Sequence, residues 1–407
     1  MAKRTKRASK KPGAKRGAGG GGGSKAAQRR KVAGATSLDD LRVAIDAVDR
    51  RLIELLNERS RLVVEVGRVK RAAGIPIYAP HRESEVIDRM IALNKGPLPA
   101  RAIEGIYREI MSGSFALEQP LRIAYLGPPG SFSHLAAVRH FGSSVAHQGV
   151  GDVAGVFTEV ERGHMDYGLV PIENSLHGGI VETLDSFMAA AKRSSPVRIY
   201  AEVQLEVHHA LLGLCDPADV RQIYSKPEVF SQCRHWLAGQ YPRAELIPTP
   251  SSSRAVQAVK EMGEQAQKEG RPMPPVAAIG STLAAELYGV HVLFDEIEDS
   301  PGNVTRFFVI GRHTAQRSGD DKTSVMFTTL DKPGALVEVL AEFQKAGVNL
   351  THIDKRPSGR NNWTYTFFID AQGHESDPAV AAALAGARAH CQELVTLGSY
   401  PRSKRIL

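Results

Sequence analysis

The chain has 407 residues, enough for two to four domains, and its 42% hydrophobic content is ordinary for a globular protein. No apolar run approaches the roughly 20 residues that a membrane span needs, so we expect no membrane partner. Residues 1–36 hold twelve Lys or Arg and no acid, which leaves 40 basic and 44 acidic residues for the rest. Because the net charge of +8 belongs to this tail, we expect no specific nucleic-acid partner.

Residues 1–36 are predicted to form a disordered basic tail, since their composition cannot bury a core. The tail has no apolar stretch of the secretory-signal type, and its Gly run at residues 19–23 suits an amphipathic targeting helix poorly. Electrostatic contact or solubility is therefore the favoured role, with targeting as the alternative. Three isolated cysteines (Cys215, Cys233 and Cys391) without metal spacing predict a reducing, cytoplasmic location. We expect neither a metal nor a cofactor.

Residues 37–119 show the spacing of a helical module. Apolar residues recur three and four apart at positions 38, 41, 45, 48, 52, 55, 62, 66 and 69. This predicts one helix from a cap at Ser37 to about Arg71, about 50 Å long. Arg59 interrupts the apolar seam, and a buried guanidinium is costly unless an anion meets it. That anion is either a ligand or a neighbouring carboxylate, Glu58 or Glu65.

Arg59 and Lys70 lie eleven residues apart, so they share a helix face at a separation of about 16 Å. Two long side chains at that distance can close on a small dianion. Arg42 lies about 25 Å from Arg59 along the helix and is rotated by about 100°. It can join the same site only from a second subunit, which predicts an antiparallel helical dimer.

Two shorter helices are predicted after the long one. The first runs from about Pro80 to Leu93, and the second begins at Pro99, a favoured first helical residue. Ser114 and Glu118 share one face of the second helix. Its apolar residues expected to be buried are Ile103, Ile106, Ile110 and Met111.

This module resembles the all-helical chorismate mutase family over residues 38–119. The matching positions are Arg42, Arg59, Lys70, Arg82, Glu83, Ser114 and Glu118. The resemblance implies that the arginines and Lys70 hold the carboxylates and ether oxygen of chorismate during a pericyclic rearrangement to prephenate. Ala79 stands where many relatives have Asp, and Glu118 where some have Gln. Glu118 must be protonated to donate a hydrogen bond to the ether oxygen, so we expect activity to favour lower pH.

Residues 121–312 contain four strands that each lead through a polar turn into a helix. They lie within residues 121–138, 167–179, 245–259 and 275–288. Polar residues at the carboxyl ends of such strands indicate a ligand cleft. No dinucleotide or phosphate-loop motif accompanies them, so we expect a small anion. The chain order predicts two α/β lobes, about 121–196 and 197–298, with residues 303–311 returning to the first.

The border between a loop and a strand is predicted at Thr305 and Arg306, ahead of a strand from Phe307 to Ile310. Strand residues alternate in direction, so these two side chains cannot both enter one pocket unless the loop end is irregular. The alternative is an ordinary edge strand with a solvated arginine. His208 and His209 are expected on a strand, facing opposite sides, with a structural rather than metal-binding role.

The same region resembles prephenate dehydratase through five motifs. They are residues 127–133, VPIENS at 170–175, YSKPE at 224–228 with Gln232-Cys233, AAELYG at 284–289, and NVTRF at 303–307. The resemblance implies loss of CO2 and water from prephenate, with Thr305 as the hydrogen-bond donor to the leaving oxygen. The candidate substrate-binding residues are Ser131, Asn174, Ser175, Thr249, Ser251, Ser252 and Arg306. A structural salt bridge is the alternative for Arg306, and Lys226-Pro227-Glu228 replaces the more usual His-Pro-Gln.

Residues 322–407 show a βαββαβ pattern, which predicts a ferredoxin-like α+β fold. They resemble the amino-acid-sensing ACT domain through GALV at 334–337 and DKRP at 354–357. The resemblance implies L-phenylalanine as effector, bound by Gly334, Ala335, Leu336, Val337, Asn349, Leu350, Asp354 and Arg356. Asp354-Lys355 stands where dehydratase relatives have Glu-Ser. The alternative is a dimerisation domain without a ligand.

The whole chain is thus predicted to be multidomain: an all-α module (37–119), a two-lobed α/β domain (121–312) and an α+β domain (322–407). We expect one enzyme with both activities, acting on chorismate and prephenate under phenylalanine feedback, as a homo-oligomer (dimer or tetramer). The competing hypothesis is a non-catalytic small-carboxylate sensor with an ACT output domain. Arg59 and Lys70 argue against the sensor, which has no need of the helical module.

Overall fold

The computed structural model describes residues 37–359 and 364–407. The basic tail and its predicted disorder lie outside the described residues. The chain divides between Val63 and Val64 into two compact units, which are described separately. None of the described helices combines the length and apolarity of a membrane span. Among the described residues, no cluster of three or more His, Cys, Asp or Glu side chains is arranged to hold a metal ion.

The first unit holds most of the long helix α1 (Leu38–Ala72). Ser37 caps it, because its Oγ accepts a hydrogen bond from the Asp40 N–H at 3.1 Å. The predicted cap and helix end are therefore confirmed. The predicted seam residues of this unit are exposed by 42% (Leu41) to 66% (Leu62). Within the unit, the apolar stripe of α1 is uncovered.

The second unit begins with the end of α1 and continues through α2 (Pro80–Leu93) and α3 (Ala100–Glu118), as predicted. Ser114 and Glu118 lie together on the buried face of α3. The predicted burial of Ile106 is wrong, since it is 48% exposed. It stands five residues before the buried Met111, about 140° away around the helix.

The first α/β lobe is built on a six-stranded sheet. Its elements are β1 (Arg122–Leu126), α4 (Phe132–Phe141), β2 (Ala146–Val150), α5 (Val153–Glu161), β3 (Tyr167–Asn174), β4 (Gly178–Gly179), α6 (Val181–Lys192) and β5 (Arg198–Glu206). The predicted lobe boundary at 197 is wrong, because β5 belongs to this sheet. The sequence predicted that a helix follows the strand within residues 167–179, but Gly179 instead pairs with Glu173 as strand β4, and helix α6 begins at Val181.

The second lobe carries a five-stranded sheet of order β10-β6-β9-β7-β8. Its elements are β6 (Ala210–Gly213), a short 3-10 turn (Pro217–Asp219), β7 (Gln222–Ser225), α7 (Pro227–Gln232), α8 (Arg234–Gln240), β8 (Glu245–Pro248), α9 (Ser252–Lys268), β9 (Val276–Gly280), α10 (Thr282–Tyr288) and β10 (His291–Phe294). Strands β7, β8 and β9 run parallel, so their carboxyl ends share one edge. His208 and His209 lie between β5 and β6 rather than on a strand.

Strand β11 (Val304–Gly311) returns to the first sheet, as predicted. It lies between β3 and β5 and pairs antiparallel with both. Phe307 and Ile310 are fully buried in the core. The edge-strand alternative for this segment is therefore wrong.

The C-terminal domain has the predicted βαββαβ order. Its elements are β12 (Asp321–Thr329), α11 (Ala335–Lys345), β13 (Leu350–Pro357), β14 (Tyr365–Gln372), α12 (Pro378–Arg388) and β15 (Cys391–Pro401). The antiparallel sheet has the order β13-β14-β12-β15. Apolar residues such as Val325, Phe343 and Ile369 form its core. The ferredoxin-like prediction is confirmed.

Candidate active sites

Asn174 and Thr305 meet at the carboxyl end of β3. The two residues are direct register partners on β3 and β11. The Asn174 amide nitrogen (Nδ2) lies 2.9 Å from Thr305 Oγ1 and 2.8 Å from Asn303 Oδ1. Its amide oxygen accepts hydrogen bonds from the backbone N–H groups of Leu176 and His177. One amide side chain therefore fixes both the start of β11 and the turn that follows β3.

The Thr305 hydroxyl is half-buried and accepts the hydrogen bond from Asn174. Its own proton has no acceptor in hydrogen-bond range among the residues that the structure describes. A hydroxyl has one proton to donate besides its lone pairs. Thr305 is thus left able to donate to a bound molecule.

Arg306 points to the opposite side of β11. Its guanidinium lies 2.8 Å from Glu202, 2.6 Å from Asp370 and 3.2 Å from the hydroxyl of Tyr400. All four side chains are buried. The prediction that Arg306 binds substrate is therefore wrong, and the salt-bridge alternative holds. The alternation of a strand separates it from Thr305.

The turn at residues 127–133 joins the two lobes. Ser253 donates a hydrogen bond to the carbonyl of Pro129, and Ser281 donates one to the carbonyl of Gly130 at 2.7 Å. Gly130 has φ +80°, and a Cβ there would lie 2.8 Å from the Cβ of Ala284. Only glycine fits this approach. Sequence reasoning gave Ser253 and Ser281 no such role, although each follows a strand end.

The other predicted hydroxyl residues of the cleft mostly shape the backbone. Ser131 caps α4, and Ser251 caps α9, whose first residue is Ser252. Thr249 Oγ1 donates to the carbonyl of Ser251 at 3.0 Å, and Ser175 Oγ accepts from the N–H of Val304 at 3.0 Å. These residues lie at the strand ends where the sequence predicted them.

A hydrogen-bonded chain that the sequence reasoning missed spans the two lobes. The Gln232 side chain lies 2.7 Å from His177 Nε2 and 2.5 Å from His209 Nε2. Burial lowers the pKa of His209, so its ring is neutral. The sequence indicated Gln232 only as part of a motif. In the same motif, Lys226 and Glu228 form an exposed ion pair at 3.4 Å. The chain ties the turn after Asn174 to the second lobe.

Lys70 and Glu118 form the polar centre of the helical module. Lys70 Nζ lies 3.1 Å from Glu118 Oε2 and donates to the carbonyl of Ile77 at 2.9 Å. Glu118 is 7% exposed, one turn beyond the buried Ser114. A Cβ at Gly67 would lie 3.0 Å from the Glu118 side chain, so α1 packs closely on α3 here. These contacts bring together Lys70 and Glu118, two of the seven predicted residues, and Ser114 lies on the same buried face of α3.

The remaining predicted residues of the module are dispersed. Arg82 is exposed and paired with Glu85, whereas Glu83 is buried and paired with Arg108 at 3.2 Å. Burial raises the pKa of Glu83 to about 7, against the lowering effect of Arg108. In the first unit, Arg42 lies 3.3 Å from Asp39. The site predicted from Arg59 and Lys70 involves both units and stays a prediction.

The C-terminal domain has a pocket of about 250 Å³ at the start of α11. Four predicted effector residues line it: Gly334, Ala335, Leu336 and Val337. The other four lie elsewhere. Leu350 packs on the core, the Asn349 carbonyl accepts from the Gln372 N–H, Arg356 pairs with Asp185 at 2.8 Å, and Asp354 lies against Gly179. Asp354 and Arg356 therefore contact the first lobe rather than this pocket.

Comparison with known proteins matches three families along the chain. Their models are prephenate dehydratase (residues 123–315), chorismate mutase type II (41–119) and the ACT domain (323–388). The bifunctional chorismate mutase/prephenate dehydratase of Stutzerimonas stutzeri is 42% identical over 376 residues, covering 91% of this chain and 99% of that protein. The chain belongs to this bifunctional family. It is a multidomain enzyme of phenylalanine biosynthesis with an isomerase and a lyase activity.

Two solved structures are similar to about 70% of the chain. The prephenate dehydratase of Arthrobacter aurescens in complex with L-Phe is 32% identical, with a TM-score of 0.62 over 70% of this chain and 92% of that one. GqqA, described as a quorum quenching acylase, is 27% identical, with a TM-score of 0.61 over 70% and 98%. Both similarities leave part of this chain uncovered.

The dehydratase and ACT domains are joined by ion pairs from one side of β13, made by His352 and Arg356. His352 lies 3.4 Å from Glu173, the residue before Asn174. The hydrogen bond from His352 is the main cause that lowers the pKa of Glu173. Burial lowers the pKa of His352, but Glu173 and Asp370 more than offset this and raise it. The ACT domain thus contacts the strand that carries the cleft residue Asn174.

Proposed function

We propose that the dehydratase cleft converts prephenate to phenylpyruvate with Thr305 as hydrogen-bond donor to the leaving hydroxyl oxygen. The observation that supports this most directly is the 2.9 Å hydrogen bond from Asn174 to Thr305. Loss of CO2 supplies the electron pair that expels hydroxide and makes the ring aromatic. A threonine hydroxyl is too weak an acid to give up its proton, so it stabilises the developing charge by a hydrogen bond, and the departing hydroxide leaves as water after it takes up a proton from the bulk solution.

Backbone N–H groups are the proposed partners of the prephenate carboxylates. Arg306 is held by Glu202 and Asp370 and has no part in this. Helices α4 and α9 both begin at the cleft, behind the caps Ser131 and Ser251. Helix N-termini bind anions through free N–H groups. Ser252, Ser175 and Thr249 are proposed as further binding partners of prephenate.

The helical module is proposed to bind chorismate between Lys70, Arg59 and Arg82, with Arg42 from a second copy. The contact between Lys70 and Glu118 supports a common site for these two groups. Lys70 and a protonated Glu118 would stabilise charge on the breaking ether, while the arginines hold the reactive conformer. Glu83 and Ser114 are proposed to contact the substrate.

A homodimer through α1 is the proposed minimum assembly, in the cytoplasm. Exposure of the seam residues, such as Ile45 (58%) and Leu52 (51%), supports it. An uncovered apolar stripe of this length favours a second helix against it. The ACT domain can make a second two-fold contact, which would give a tetramer.

L-phenylalanine is the proposed effector, bound in the ACT pocket beside α11. The pocket volume of about 250 Å³ suits one amino acid, and the relative from Arthrobacter aurescens was solved with L-Phe. In this proposal Asp354 and Arg356 act differently from the pocket residues. They carry the signal through Gly179 and Asp185 to the turn beside Asn174.

The direct test is incubation of the full-length protein with chorismate, followed by separate quantification of prephenate and phenylpyruvate. We expect both products in succession, and less phenylpyruvate at millimolar L-phenylalanine. Prephenate that accumulates without phenylpyruvate would refute the dehydratase half. An unchanged rate with phenylalanine would refute the effector. Turnover of neither substrate would favour the carboxylate sensor.

A further inference from the structure

The last six residues of the chain run along the open edge of the dehydratase sheet. Beyond β15, the N–H of Leu407 donates to the carbonyl of Gln204, and the N–H of Glu206 donates to the carbonyl of Leu407. Ile406 forms a parallel bridge with Gln204. The Ser403 N–H donates to the Glu202 carboxylate at 2.8 Å. The C-terminal tail (residues 402–407) is thereby fixed against β5 by backbone hydrogen bonds.

From this position the tail reaches the mutase helices. The guanidinium of Arg405 forms an ion pair with Asp88 of α2, and its Nε lies 3.5 Å from Glu104 of α3. Arg405 is only 22% exposed. One side chain from the end of the ACT domain therefore joins two helices of the mutase module.

Glu104 continues this contact inward as a row of alternating charges. Arg108 lies 2.9 Å from Glu104 and 3.2 Å from Glu83, and also donates to the carbonyl of His140. Arg108 and Glu83 are 11% and 9% exposed. Because solvent stabilises these side chains so little, each charge depends on the opposite charges beside it. Loss of the outer cation leaves Glu104 to compete more strongly for Arg108.

Glu83 is the inner end of the row. One carboxylate oxygen accepts from Arg108, while Oε2 is buried and has no hydrogen-bond partner among the described residues. It lines a cavity of about 80 Å³ that is also lined by Arg108 and Arg405. Burial raises the pKa of Glu83, and Arg108 followed by Arg405 lowers it. The positive charge of Arg405 therefore stabilises the carboxylate form of Glu83.

We propose that Arg405 is a positioning residue for the mutase reaction. Arg405 is fixed on the C-terminal tail and keeps the side chains of Glu104 and Arg108 in position. Through Glu83, these side chains fix the position of α2, which carries Glu83 and Arg82. The inference rests on the proposed role of those two residues in chorismate binding. It makes the end of the chain a part of the mutase domain at the opposite end of the sequence.

The test compares four full-length proteins: wild type, Arg405→Ala, Arg405→Lys and Lys404→Ala. Lys404 is the matched control. It is the neighbour of Arg405 in the chain and carries the same charge, but its side chain pairs with Asp320. We expect Arg405→Ala to lower mutase kcat/KM about tenfold, mainly through KM, because misplaced binding groups weaken binding. Arg405→Lys should recover most of this loss. Lys404→Ala should behave as wild type, and dehydratase kinetics should be unchanged throughout.

A double-mutant cycle with Glu83→Gln tests whether Arg405 acts through Glu83. If it does, adding Arg405→Ala to Glu83→Gln costs much less than in wild type. Wild-type mutase kinetics in Arg405→Ala would overturn the proposal. So would equal losses in both activities, or equal effects of Arg405→Ala and Lys404→Ala. A wild-type protein without mutase turnover would instead refute the proposed function itself.

Discussion

The dehydratase cleft brings Asn174 and Thr305 to 2.9 Å within one chain, on two paired strands of a buried sheet. The mutase module brings Lys70 and Glu118 to 3.1 Å, but its apolar seam stays exposed. A sheet fixes its site by hydrogen bonds within one subunit. A single long helix cannot bury its own stripe, so its site depends on what covers the seam. In the proposed assembly, the dehydratase site is therefore complete in one subunit, and the mutase site is shared between two.

The largest effect is expected for Thr305→Ala. It should lower dehydratase kcat about 10²–10³-fold, the usual cost of one lost donor to a developing charge. Mutase activity should be unchanged, because the two sites share no residue. Steady-state assays with each substrate measure this, with Thr305→Ser as the control that retains a hydroxyl. Loss of both activities would mean that Thr305 supports the fold instead.

The mirror-image change is Lys70→Ala, for which we expect a mutase loss of about 10²–10³-fold. Dehydratase kinetics on added prephenate should remain at the wild-type level. Arg68→Ala is a suitable control, because Arg68 is an exposed cation two residues away that pairs with Glu65. A similar mutase loss in Arg68→Ala would show a general effect of charge rather than a site.

Arg306→Ala should destabilise the protein more than it slows the chemistry. It leaves Asp370 buried without its cation and Glu202 with Lys322 alone, at a cost of about 3–5 kcal/mol. Arg356→Ala removes the more exposed pair with Asp185, for about 0–1 kcal/mol. Urea denaturation midpoints of the two variants measure the difference. Equal midpoints would contradict the buried network.

The His352–Glu173 pair gives the smallest effect, and this effect depends on pH. The raised pKa of His352 makes the pair fully stabilising below pH 6.5, with the benefit lost as pH rises through that raised pKa. The lowered pKa of Glu173 maintains the carboxylate down to below pH 4.5. His352→Gln should therefore lower the free energy of unfolding by about 1 kcal/mol near pH 6 and by less near pH 9. This figure takes into account that solvent screens the partly exposed Glu173.

The measurement is the difference in urea midpoint between His352→Gln and wild type at the two pH values. His313→Gln, which alters an exposed histidine, is the control. A pH-independent difference would mean that the ion pair contributes nothing.

Local patterns predicted the elements well, because helix caps, apolar spacing and strand–turn–helix order are properties of short segments. Ser37, Pro99 and the four polar strand ends all lie where expected. Arg306 was misassigned, because its partner Glu202 is 104 residues away in the chain and nothing local reveals it. The link from Gln232 to His177 and His209 escaped for the same reason. The sequence therefore shows which residues can form ion pairs or hydrogen bonds, but not which distant residue each one contacts.

Mixing of variants tests whether the mutase site is shared between two subunits while the dehydratase site is not. Arg42→Ala and Lys70→Ala proteins are co-refolded, as are Asn174→Ala and Thr305→Ala. If Arg42 is supplied by the second copy, the first mixture regains about a quarter of wild-type mutase activity, since half the dimers carry one intact site of two. The second mixture should regain no dehydratase activity. Mutase activity that stays absent in the first mixture would contradict the shared site.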